Sequence, residues 1–106
     1  MKMILLLYLE DDEPCVRSLL EAHEVLAYSE LPLEGHGEGR PSGWYGEVPP
    51  YRSRMVFTLV PESRASELLD AVRRSSGCQD VRHPIRALQL GVEDTALSGA
   101  FDPPST

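Results

Sequence analysis

Cysteine is scarce in this chain, with two residues, Cys15 and Cys78, among 106. No CxxC is present, so neither a disulfide framework nor a thiolate zinc site is indicated, and two free thiols in a cytoplasmic chain are expected. Basic residues are outnumbered, ten Lys and Arg against seventeen Asp and Glu, for a net charge of -7. That sign repels phosphate backbones and anionic lipid over most of the surface, which argues against a nucleic-acid partner. A local basic patch can still hold a small anion. Long apolar runs are missing too: residues 3–9 lead straight into Glu10, Asp11, Asp12 and Glu13, and read as neither a signal peptide nor a membrane span. There is no GxSxG, and no spacing fixes a Ser-His-Asp triad, so no enzyme is expected. What remains is an ordinary balance of 42% hydrophobic and 25% charged residues. A chain of this length supports one core, not two.

Met3 to Leu9 is a continuous apolar run, the mark of a strand buried on both faces. Asp11 or Asp12 is placed to cap the following helix, Pro14 suits its first turn, and Val16, Leu19, Leu20 and His23 share one face. The acidic group at Glu10 to Glu13 is explained by the positive end of that helix and needs no catalytic role. The same acidic neighbours oppose a lowered pKa at Cys15. Alternation of Val25, Ala27, Ser29, Leu31 and Leu33 predicts a second strand, with Pro32 marking an edge.

The second half repeats this grammar. Tyr51 to Val60 sets Met55, Phe57 and Leu59 against Arg52, Arg54 and Thr58, which predicts a strand with the first set on the core. Arg52 and Arg54 are then expected at a subunit interface. Pro61 and Ser63 start a helix with a stripe of Ala65, Leu68, Leu69 and Val72, Arg73 and Arg74 suit its negative end, and Gly77 closes it. A last strand is expected from Val81 to about Val92. The doubled pattern predicts an α+β, ferredoxin-like βαββαβ domain over residues 1–94, an antiparallel sheet backed by two helices, with a flexible tail at 95–106.

The long connection from Glu34 to Pro50 stands between the second and third strands. At seventeen residues it far exceeds a hairpin, and loops of such length are commonly functional. Gly35, Gly37 and Gly39 let a ligand approach main-chain N–H groups. Trp44 and Tyr45 are adjacent aromatics in a polar stretch. The glycines do not lead from a buried strand into a helix, so neither a dinucleotide fingerprint nor a phosphate P-loop applies.

The element order, the Glu-Gly-His-Gly-Glu-Gly run at Glu34 to Gly39 and the Leu-Gly-Val-Glu ending at Leu90 to Glu93 together resemble the PII-like superfamily, over roughly residues 2–94. That resemblance implies a homotrimeric signalling protein that binds an adenine nucleotide or related effector between subunits, with no covalent cofactor. Gly35, His36 and Gly37 correspond to the base of the family's T-loop, and Gly77 to its glycine-rich B-loop. Arg86 falls at the family's phosphate-holding lysine, with Arg82 expected beside it on the same strand face. The tail lacks the family's closing arginines, which points to a monophosphate, a cyclic nucleotide or a smaller anion. Glu38, Arg40, Trp44 and Tyr45 are then the surface presented to a partner, a transporter or an enzyme, though the aromatic pair does not reproduce the family's modified tyrosine motif. The alternative is a metal-binding or metal-tolerance protein of the same fold, through His36, Cys78 and His83. His83-Pro84 is similar to the CutA-type divalent-cation tolerance proteins. No HxxxH or CxxC spacing supports that set.

Overall fold

The computed structural model describes residues 1–37, 44, 47–75 and 82–99. Its first strand, β1 (Lys2–Leu9), runs into a single 3-10 turn at Glu10–Asp12 and then helix α1 (Glu13–Ala22). Asp12 holds the N-cap position at φ -90 and ψ 2 without a side-chain cap bond. The expected aspartate cap is therefore absent, because the chain winds from one helical turn into the next and never takes the extended geometry a cap requires. Strand β2 (Ser29–Gly35) begins four residues later than its alternation predicts. Val25 is buried in the core, and Thr58 Oγ1 donates to the Ala27 carbonyl at 2.8 Å. That side-chain bond stands where a strand would have made a main-chain one.

Strand β3 (Tyr51–Val60) leads to helix α2 (Glu62–Arg74), and the chain returns in β4 (Arg86–Gly91). Pro84, with no N–H to offer a ladder, holds the start of β4 back from the expected Val81. Gly77, the expected helix stop, lies outside the described residues. The four strands are antiparallel in the order β2-β3-β1-β4. With two helices in the connections, this is the ferredoxin-like α+β arrangement the doubled pattern predicts.

Both helices lie against one face of the sheet. Ile4, Leu6 and Tyr8 of β1 meet Val56 and Val60 of β3, Val16 and Leu20 of α1, and Ala65 and Leu68 of α2 in one buried cluster. The register opposite Ile4 and Leu6 puts Thr58 and Val56 on this face, and Tyr8 opposite Arg54. The core side of β3 is thus the even-numbered set, and the expectation that Met55, Phe57 and Leu59 face the core is reversed. Those three share the opposite face with Met3, Leu5 and Leu7, with Leu31 and Leu33 of β2, and with Leu88 and Leu90 of β4. The sheet is apolar on both sides, and the described helices cover only one of them.

Candidate functional site

The loop base and the start of β4 lie at the same end of the sheet, on its opposite edges. Gly35 pairs with Tyr51 across β2 and β3, and the tyrosine ring lies over it so closely that a Cβ there would overlap the ring. The Tyr51 hydroxyl reaches the carbonyls of His36, at 3.3 Å, and Gly37, at 3.2 Å. Gly37 itself takes φ +84 in open space. One glycine makes room for a ring and the next turns the chain left-handed.

Trp44 is the unexpected member. A loop tryptophan offered to a partner would be exposed, yet Trp44 is 2% exposed and packs with Leu7, Leu9 and Tyr51 in a second, smaller core on the sheet face that the helices leave bare. Its ring meets Tyr51 edge-on at 6.1 Å between centroids. The indole Nε1 donates to the Pro84 carbonyl at 2.8 Å, and the Arg86 guanidinium stands 4.9 Å over the ring. In the single chain Trp44 is thus under cover and not presented: a large apolar ring next to Leu7 and Leu9 is driven out of water. Glu38, Arg40 and Tyr45, the other residues expected to face a partner, lie outside the described residues.

The expected anion holders are separated. Gly35 and Gly37 belong to β2 and its exit, and Arg86 to β4, the opposite edges of the sheet, three strand spacings or about 14 Å apart. Arg82 does not share a strand face with Arg86: it precedes Pro84 in a turn, outside β4. Beside the loop base a hollow of about 270 Å³ is lined by Leu33, Gly35, His36, Trp44 and Ser53, among others. Glu47, at the far end of the loop, approaches His83 at 3.8 Å.

The two described members of the metal set, His36 and His83, stand on opposite edges of the sheet. His36 Nε2 faces Glu34 at 3.3 Å beside β2, whereas His83 precedes β4 on the other edge. Among the described residues no three His, Cys, Asp or Glu side chains group as ligands. Cys78 lies outside them. Cys15 is disulfide-bonded, contrary to the expected free thiol, and the ground that free thiols lent to a cytoplasmic location falls with it. No described helix is long and apolar enough to cross a membrane.

On the helix-covered face at the same end lies a polar group that the sequence patterns did not suggest. Arg54 donates to Glu30 at 3.0 Å and Glu10 at 3.2 Å, and the Tyr8 hydroxyl donates to the same Glu30 at 3.1 Å. Burial first, then the hydrogen bond and charge of Glu30, push the Tyr8 phenol well above its ordinary range. The bonds to Glu10 and Glu30 raise Arg54 in turn. Arg52, more exposed, lies 3.8 Å from Glu10. Arg54 thus lies on the helix side of the sheet, and Arg52 stands at its rim, largely exposed in the single chain.

No family model and no curated protein matches the sequence. Among solved structures, a protein of Thermus thermophilus, provisionally named a PII-like signalling protein, superposes with a TM-score of 0.60 at 14% identity, over 84% of this chain and 83% of its own. The two chains share one fold. A shared fold does not fix function, which must be argued from the residues this chain carries.

Proposed function

We propose that this chain is a PII-like signalling protein: a homotrimer that takes a small anionic effector, an adenine nucleotide foremost, in clefts between its copies and controls a transporter or an enzyme. The observation that carries this reading is the bare apolar sheet face. Leu31, Leu59, Leu88 and Leu90 on it are between 43% and 49% exposed in the single chain. A contiguous apolar surface of this kind calls for a partner, and closed symmetry lets copies supply it. Because Gly35 and Gly37 stand at one edge of that face and Arg86 at the other, assembly through it is the simplest way to bring a loop base of one copy near an arginine of the next.

Within that cleft the roles follow from chemistry. Main-chain N–H groups at Gly35, His36 and Gly37 suit a phosphate or carboxylate, and Arg86 supplies a planar, permanently charged donor. Arg82 and Gly77 are carried as further candidates from the family likeness. Glu38, Arg40 and Tyr45 remain the proposed partner-facing residues.

Calorimetry with AMP, cyclic AMP, ADP and ATP tests the effector. Arg86→Ala is expected to weaken the nucleotide that binds by about tenfold or more, the worth of a charge-assisted contact, while the variant still unfolds cooperatively. Absence of heat with all four nucleotides would sink the effector assignment.

A further inference from the structure

We propose that Trp44 is a latch closed on Arg86, and that an anion taking Arg86 opens it; the second clause rests on the effector reading above. Three contacts hold the indole. Pro84 accepts its N–H at 2.8 Å, Tyr51 abuts it edge-on at 6.1 Å, and the Arg86 guanidinium covers it at 4.9 Å. Two of the three come from the segment that opens β4, although Trp44 belongs to the connection between β2 and β3, forty residues earlier. The indole therefore ties the long connection to the very residue proposed to hold the effector.

The two demands on Arg86 oppose each other. A cation is drawn to the face of an indole by its unbalanced positive charge. A phosphate paired with the guanidinium supplies the balancing charge and competes for its position. Trp44 then keeps Pro84, Tyr51 and its packing on Leu7 and Leu9 but loses the cation that covered it. Departure of the indole uncovers Leu7, Leu9 and Tyr51, all packed against it in the closed form. The signal that leaves the site is thus an apolar patch exposed beside an indole, a surface suited to docking a protein partner.

Trp44 is the chain's single tryptophan, so its fluorescence reports the latch without ambiguity. In the ligand-free protein the emission is expected to be that of a buried ring, poorly quenched by acrylamide. Arg86→Gln, with no ligand present, is expected to raise the quenching constant by about fivefold, the population change that one lost cation–π contact produces. Arg86→Lys, which keeps the charge and loses the planar stack, should fall between the two, and it decides the matter if the glutamine variant fails to fold. Quenching unchanged in the folded variant overturns the latch. For the wild type, AMP that binds by calorimetry should raise quenching and shift emission to the red. Binding with no change in either overturns the proposed opening. If no nucleotide binds, the effector reading fails and the opening step falls with it, while the ligand-free variants still decide whether Arg86 holds Trp44.

Discussion

Gly35 and Gly37 need to be glycine for different reasons, and the difference is measurable. At Gly35 a methyl group would collide with the Tyr51 ring, which must then move and loosen its hydroxyl from the carbonyls of His36 and Gly37. Gly35→Ala is expected to lower stability by about 2 kcal/mol in urea unfolding, in the range of overpacking. At Gly37 space is open and only φ +84 resists a side chain, so Gly37→Ala should cost about 1 kcal/mol, and Gly37→Asn, which tolerates that region, less. The GxG spacing was visible in the sequence; the ring that demands the first glycine was not, since nothing in a linear pattern pairs residue 35 with residue 51. Tyr8 offers a second test. Its phenol ionises at about 10 in the unfolded chain and well above that in the folded one, because burial and Glu30 both disfavour the phenolate. Below pH 10 this contribution is fully present. As the pH rises past that value the unfolded state gives up its proton first, and stability falls. Urea midpoints of wild type between pH 9 and about 11.5 should therefore drop more steeply than those of Tyr8→Phe. Equal slopes would show that the folded protein does not raise the Tyr8 phenol.

The helices were the most legible elements. Val16 and Leu20 of α1, and Ala65 and Leu68 of α2, fall where a 3.6-residue stripe puts them, and all four are buried. Leu68→Ala should cost about 2–4 kcal/mol by thermal or urea unfolding, as a fully buried leucine does. Strands were harder to read, for a reason seen in β3: with apolar residues on both faces, alternation reveals the period but not which set meets the helices. Pairing with β1 decides it, since Ile4 and Leu6 stand opposite Thr58 and Val56. Arg54 shows the same effect. An arginine in a strand reads as surface or interface, and only the approach of the 3-10 turn and the β2 edge gives it Glu10 and Glu30. The start of β4 shifted because Pro84 donates nothing to a ladder and its carbonyl is taken by Trp44.

At the scale of the whole molecule, the second apolar face is the dominant fact. Light scattering coupled to size-exclusion chromatography should return about 35 kDa, three times the 11.8 kDa of one chain. Leu88→Glu is expected to reduce that to a single copy without unfolding the domain, since Leu88 is 45% exposed in the isolated chain and so contributes to assembly far more than to the core. A Leu88→Glu protein that kept the mass of the wild type would exclude this face as the interface. The sequence by itself determined what local periodicity and composition can carry: the βαββαβ order, the helix stripes, the acidic balance and the unusual length of the connection after Gly35. Only the tertiary structure decided which face of β3 is the core, where the cysteine at residue 15 is spent, and that Trp44 lies buried beneath Arg86. Each of these depends on contacts between residues far apart in the chain, and those contacts exist only once the sheet has set its register.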